Sequence, residues 1–141
     1  MAQITQTDPQ KRFRRVMSAD SLSGDKVKNN AGEDLGKIKD IMIDIPSGRI
    51  AYAVLSFGGV LGIGDKLFAL PWSVLTLDED EKHFVLNVDK NTLKNAPGFD
   101  DKNWPDMADP TWGAQIFNYY GVRPYWEETT DTRTLRGGGG M

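Results

Sequence analysis

Alternating apolar and polar positions occupy the middle of the chain and predict short β-strands joined by tight turns. Six such runs lie between Lys26 and Val88, the two longest being Asp34–Ile45 and Arg49–Phe57. The connecting segments are rich in Asn, Gly and Pro, as in Asn29-Asn30-Ala31-Gly32, and these residues adopt the backbone conformations that tight hairpins require. The pattern therefore predicts a mainly β fold, a small, closed and mostly antiparallel barrel of five to six strands.

The first long strand changes phase along its length. Ile38 lies on one parity, whereas Ile41, Ile43 and Ile45 lie on the other. Successive strand residues point to opposite faces, so all four isoleucines reach the interior only if one extra residue intervenes. We therefore predict a β-bulge near Lys39–Asp40, a device that bends strands in small barrels.

The second long strand, Arg49–Phe57, is apolar on both parities. A strand of this kind is buried on both faces. One face fills the barrel, and the other must be covered by a helix, by the C-terminal segment or by a partner. We expect the C-terminal segment and a second copy of the chain to share this role, giving a homodimer.

An aromatic-rich extension follows the predicted barrel. Eight of the fourteen aromatic residues lie between Phe99 and Trp126. Asp109-Pro110 is typical of a helix start, with an N-cap followed by proline at the first helical position. Apolar residues then recur at helical spacing until Gly121. We predict one amphipathic helix here, and we take as the candidate interaction surface the aromatic and apolar residues of the extension: Trp104, Trp112, Ile116, Phe117, Tyr120, Tyr125 and Trp126.

These patterns divide the 141 residues into four parts: a flexible basic arm (1–17), a barrel domain (18–95), the helical extension (96–127) and a flexible tail (128–141). The arm carries a balance of +3, whereas the whole chain has a net charge of −3. An acidic balance argues against a nucleic-acid-binding surface. For the basic arm, contact with RNA or with an anionic membrane surface remains an alternative interpretation. A solvated tail is the favoured interpretation.

No membrane-spanning segment is expected. The longest uncharged run, Ile50–Gly64, has fifteen residues and several glycines, whereas a bilayer span needs about twenty apolar residues. The chain has no cysteine, which agrees with a reducing compartment. We therefore expect a cytoplasmic protein.

Catalytic and metal-binding patterns are weak. The run Gly59-x-x-Gly62-x-Gly64-Asp65-Lys66 lacks the hydroxyl residue and the helix that a phosphate loop needs, so a connecting loop is favoured. The acidic run Asp78–Glu81 lacks the glycine and distal glutamate of a calcium loop. His83 is the single histidine, and Asp40 and Asp44 are expected to face solvent. We therefore expect no enzyme, no cofactor and no metal site.

The segment from Gly24 to Trp72 resembles the PRC-barrel family, known from the cytoplasmic domain of the photosynthetic reaction-centre H subunit and from free-standing bacterial proteins. The resemblance rests on five short motifs: Gly24-x-x-Val27, Gly32-x-x-Leu35-Gly36-x-Ile38, Ile43-Asp44, Gly48-Arg49-Ile50-Ala51-Tyr52 and Lys66-x-x-Ala69-Leu70-Pro71-Trp72.

The resemblance implies a PRC-type barrel and a role as a docking or assembly module, with no catalytic residues to carry over. The expected function is thus a non-catalytic protein-interaction module with an unknown protein partner. The alternative is a small-ligand or RNA-binding protein that uses the glycine loop or the basic arm.

Overall fold

The computed structural model describes residues 16–58 and 66–127. Seven strands form one sheet: β1 (Lys26–Lys28), β2 (Asp34–Asp44), β3 (Arg49–Phe57), β4 (Lys66–Pro71), β5 (Leu75–Asp78), β6 (His83–Leu86) and β7 (Phe99–Asp100). The helices with both ends among the described residues are α1 (Ala19–Leu22), α2 (Lys90–Lys94) and α3 (Pro110–Tyr120), and residues 125–127 are also helical. A 3₁₀ turn, Trp72–Val74, joins β4 to β5.

The order of the strands in the sheet is β5-β6-β1-β2-β3-β4-β7. All neighbours are antiparallel except β1 and β6, which pair in parallel. The mainly β class is confirmed, and six strands lie inside the predicted barrel domain. The seventh comes from the extension and pairs with β4. The prediction of a closed barrel is wrong, because β5 and β7 lie at opposite ends of the strand order and do not pair with each other among the described residues.

The predicted bulge is present. Ile38 pairs with Leu55 and Asp40 pairs with Val54, so β2 advances two residues while β3 advances one. The extra residue is Lys39, and it allows Ile38 to be buried while the strand bends.

The expectation that Ile43 and Ile45 also reach the interior is wrong. Ile43 is 50% exposed and Ile45 is 82% exposed, and only Ile41 of this trio packs against the core. The pairing partners of Met42 and Ile43, Tyr52 and Ile50, skip Ala51. This second irregularity adds a residue to β3, and the end of the β2–β3 hairpin extends beyond the interior.

Two apolar clusters lie on opposite faces of the sheet. The inner cluster includes Ala53 and Leu55 of β3 with Phe68 and Leu70 of β4. The outer cluster includes alternate residues of the same strands, such as Tyr52 and Ala69. The alternation follows from the two-residue period of a strand, and it explains why β3 is apolar on both parities.

Helix α3 forms as predicted. The Asp109 side chain accepts a hydrogen bond from the Thr111 amide, Pro110 occupies the first turn, and Gly121 ends the helix with a left-handed φ of 71°. Glycine adopts this conformation without steric cost. The cap and the stop fix the helix between β7 and the C-terminal end of the extension.

Candidate interaction surface

The extension covers the outer face of the sheet within the same chain. Ile116 and Phe117 of α3 are 1% and 2% exposed, and they pack with Ala51, Tyr52 and Ala69. Each buried side chain of this size contributes roughly 1.5–3 kcal/mol. The expected covering role of the C-terminal segment is therefore met without a partner.

The seven residues of the predicted interaction surface differ in how deeply their side chains are buried. Ile116 and Phe117 are internal, so they present no surface to a partner in this conformation. Trp112, Tyr120, Tyr125 and Trp126 are half-buried against the outer cluster. Trp104 is 36% exposed and lies 5.1 Å from the ring of Phe99, centroid to centroid. Their use by a partner stays a prediction.

Tyr52 lies at the centre of the aromatic layer under α3. Its ring centroid is 5.2 Å from that of Trp112 and 5.4 Å from that of Phe117. Its hydroxyl is buried and has no hydrogen-bond partner among the described residues. Burial raises the pKa of Tyr52 far above its ordinary value, and the neighbouring Tyr125 adds to this shift. The phenol is therefore neutral and unsatisfied.

Replacement of Tyr52 by phenylalanine is expected to raise the free energy of unfolding by about 1 kcal/mol. The substitution removes an unpartnered polar atom, whose burial costs about 1–3 kcal/mol, and leaves the ring packing in place. The midpoint of urea unfolding at unchanged m-value measures the effect.

Tyr125→Phe is the matched control for this substitution. The Tyr125 hydroxyl donates to Asp44 Oδ1 over 3.2 Å, so its removal is expected to lower the unfolding free energy by about 1 kcal/mol. A gain in unfolding free energy for Tyr52→Phe and a loss for Tyr125→Phe would support the assignment of the Tyr52 hydroxyl as buried and unpartnered. A loss of stability in Tyr52→Phe would contradict it.

Asp44 and Arg49 anchor the end of the extension to the β2–β3 hairpin. The Asp44 carboxylate accepts hydrogen bonds from Ser47 and from the Tyr125 hydroxyl. Arg49 Nη1 donates to the backbone carbonyl of Tyr125, and the guanidinium carbon lies 6.0 Å from the centroid of that ring. Asp44 is therefore partly exposed, and the returning extension supplies one of its hydrogen-bond partners.

The hydrogen bonds of Ser47 hold the pKa of Asp44 below its ordinary value, with help from Tyr125 and Arg49. Burial and the neighbouring Asp44 carboxylate raise the pKa of Tyr125. The pair therefore consists of an ionised carboxylate and a neutral phenol. Because the folded-state pKa of Asp44 is depressed, its contribution to stability is present at neutral pH and disappears as acidification protonates it.

A small depression opens beside this anchor, with a volume of about 60 Å³. We call it the basic depression, because two arginine residues line it. Its polar lining is Arg49, Ser73, Arg123 and Tyr125, and its apolar lining is Ile50, Trp72 and Phe117. It combines residues from the hairpin, the 3₁₀ turn and the extension.

The end of β2 presents an exposed apolar face beside an unpaired strand edge. β1 pairs with β2 only as far as Lys37, whereas β3 pairs with it as far as Asp44. Among the described residues, no strand pairs with the other edge of residues 40–44. The amide of Ile41 donates to the Asp40 side chain, which protects that one position. Ile43 and Ile45 lie beyond it and are exposed.

The other chemical candidates from the sequence fall into two groups, those outside and those inside the described residues. The glycine run 59–65, the basic residues of the arm up to 15 and the tail from 128 lie outside the described residues. The acidic run Asp78–Glu81 begins at the last residue of β5 and continues into the turn before β6, and His83 is half-buried at the start of β6.

The described part of the chain contains no group of three His, Asp or Glu side chains placed to hold a metal ion. Within residues 16–58 and 66–127, no helix is long and apolar enough to cross a membrane.

Comparison with known proteins connects this architecture to a family. The sequence profile of the PRC-barrel domain matches residues 14–93. No curated protein sequence matches the chain. Among solved structures, the chain is similar to a putative 16S ribosomal RNA processing protein, RimM, from Pseudomonas aeruginosa, with 18% identity and a TM-score of 0.38. That match covers 61% of this chain and 48% of the other, so the chain spans about half of the length of that protein.

Proposed function

Because the chain belongs to the PRC-barrel domain family, we propose that it is a non-catalytic protein-interaction module that assembles first with a second copy of itself. The observation that carries the proposal is the exposed end of the β2–β3 hairpin, where Ile43 of β2 and Ile45 of the following turn lie beside an unpaired strand edge. Unpaired edges are templates for pairing with another chain, and contiguous exposed apolar surface marks protein–protein contacts. We propose that the protein acts in the cytoplasm and that a further protein, of unknown identity, is its second partner.

The chemistry of the edge favours a symmetric pair. In a two-fold dimer, each residue i that contacts residue j of the second copy is matched by the reverse contact. Antiparallel pairing centred on Ile43 places this residue opposite its own copy and brings Ile41 close to Ile45, the first turn residue, of the second copy. The exposed isoleucines of both copies then cover one another.

The charged residues of the hairpin favour this register over the one centred on Met42. Pairing centred on Met42 would place Asp40 opposite Asp44 of the second copy, and like charges directly opposite one another destabilise a sheet. Centring on Ile43 instead directs Asp40 towards the turn residue Pro46, which carries no charge. The charges of the hairpin therefore support the register that brings the isoleucines together.

The full chain is expected to behave as a dimer, with a mass near twice 15.7 kDa by light scattering coupled to size-exclusion chromatography. The double substitution Ile43→Lys with Ile45→Lys is expected to shift the mass to 15.7 kDa, because it places four cations, two from each copy, in the contact. Both side chains are at least half exposed, so the fold of each chain is retained.

Val16→Lys is the matched control, since Val16 is 92% exposed and lies outside the hairpin. It is expected to leave the dimer intact. An unsubstituted chain that elutes at 15.7 kDa at micromolar concentrations would refute the dimer. Loss of the dimer in Val16→Lys as well would show that the contact does not involve the β2 edge.

A further inference from the structure

The end of the extension contacts the same hairpin that carries the proposed edge for self-association. Tyr125 forms hydrogen bonds with both Asp44 and Arg49. These two residues pair with each other across the hairpin, directly after Ile43 of β2. We propose that the Tyr125 contact controls self-association, because it holds the edge in the conformation that pairs with a second copy of the chain. The inference rests on the proposed function and assigns its regulation to the end of the extension.

Apolar packing ends before the hairpin does. Ile41 packs against the inner cluster and Met42 against the outer cluster. The next isoleucines, Ile43 and Ile45, are at least half exposed. Ile50, the partner of Ile43 on β3, lines the basic depression. Because packing is incomplete here, polar contacts are what fix the end of the hairpin.

The Asp44 carboxylate joins the turn of the hairpin to the extension. Its Oδ2 accepts hydrogen bonds from the amide and the hydroxyl of Ser47, and its Oδ1 accepts one from the Tyr125 hydroxyl over 3.2 Å. On the other strand, Arg49 Nη1 donates to the Tyr125 carbonyl. Both strands of the hairpin are therefore tied to Tyr125, and hydrogen bonds that involve an ionised group are stronger than those between neutral groups.

The ring of Tyr125 connects this contact to the outer cluster. Its centroid lies 6.1 Å from that of Phe117 on α3 and 6.3 Å from that of Tyr52 on β3. Neighbours on the helix and on the sheet hold the ring, so its hydroxyl has a defined position. A hairpin held in one conformation loses less conformational entropy when a second copy pairs with it. The docked extension therefore prepares the edge for pairing.

Tyr125→Phe is expected to weaken the dimer through both copies. In a two-fold pair both hairpins must have the pairing conformation, and the dissociation constant rises in inverse proportion to the population of that conformation in each copy. A fall of this population to about one third in each copy raises the dissociation constant about ninefold. Sedimentation velocity over a dilution series of the full chain measures the change.

Tyr119→Phe is the control for this substitution. The Tyr119 hydroxyl also belongs to the extension and also donates one hydrogen bond, but its acceptor is the Thr92 carbonyl on α2. Its removal is expected to change the dissociation constant by less than about twofold. An unchanged dissociation constant in Tyr125→Phe, or an equal increase in Tyr119→Phe, would overturn the inference.

Hydrogen exchange in the Ile43→Lys with Ile45→Lys background tests the ordering of the hairpin without the dimer. The Gly48 amide donates to the Asp44 carbonyl over 2.7 Å within the hairpin. Addition of Tyr125→Phe is expected to speed the exchange of this amide about threefold, the same change in population as above. A dimer in which Tyr125→Phe alters neither the exchange nor the dissociation constant would refute the control alone. A monomeric unsubstituted chain would refute the proposed self-association.

Discussion

Replacement of Gly36 by alanine is expected to lower the free energy of unfolding by about 3–5 kcal/mol, enough to leave a marginal domain largely unfolded. Gly36 has a φ of 130°, a conformation that costs other residues about 1–3 kcal/mol. A Cβ atom would also clash with the backbone carbonyl oxygen of Ser56 on β3. Overpacking adds about 1–3 kcal/mol, because backbone inside a sheet cannot rotate away as a side chain can.

Gly48→Ala separates the two causes. Gly48 also has a positive φ, 74°, but a Cβ atom there would meet nothing within 4 Å. Its substitution is expected to cost only about 1–2 kcal/mol, the price of the left-handed conformation. Urea unfolding of both variants measures the difference. Equal losses would show that the approach of β3 to Gly36 does not constrain this position.

The phase of the hydrophobic pattern made the first bulge predictable. Ile38 and Ile41 lie on opposite parities, and a strand with one buried face cannot accommodate this without an extra residue. The structure has that residue, Lys39. The second irregularity, at Ala51, left no such signal, because β3 is apolar on both parities and a shift by one residue exchanges one apolar side chain for another.

The hydrophobic pattern also did not predict that Ile43 and Ile45 are exposed. Alternation shows which residues share a face, but it does not show where along a strand the covering elements end. β1 is three residues long and pairs only with the first part of β2. The length of a neighbouring strand is therefore what leaves the isoleucines uncovered.

Local sequence signals predicted the start and the end of α3, but they did not predict the residues that the helix contacts. The Asp109-Pro110 start, the helical spacing and the Gly121 stop act within a few residues, so the sequence contains them directly. The partner of the helix is a sheet formed some fifty residues earlier. Gly113 shows the consequence: a Cβ atom there would lie 2.6 Å from the Tyr52 hydroxyl, a requirement for a small residue that only the packed structure reveals.

The anchor and the basic depression depend on contacts that are distant in sequence. The hydrogen bond from Tyr125 to Asp44 joins residues 81 positions apart. Arg49 and Arg123 meet at one depression for the same reason. A single sequence indicates the residue types of such a site, but the pairing follows only from the return of the extension across the sheet.

The ring of Phe117 connects the two sides of the outer cluster. Its centroid lies 5.4 Å from Tyr52 and 5.7 Å from Trp126, so it joins the sheet to the end of the extension. Aromatic pairs at these separations contribute about 0.5–1.5 kcal/mol beyond the burial of apolar surface. Removal of this ring would leave a cavity between α3 and β3.

Phe117→Ala is therefore expected to lower the free energy of unfolding by about 3–5 kcal/mol, the usual range for truncation of a buried phenylalanine. Urea unfolding measures the loss, and binding of a dye that recognises exposed apolar surface is expected to increase. Gln115→Ala, on the exposed side of the same helix, is expected to stay within about 0.5 kcal/mol. A loss below about 1 kcal/mol in Phe117→Ala would mean that α3 does not cover the sheet in solution. In that case the outer face of β3 would need another cover, and a second copy of the chain would again be the first candidate for it.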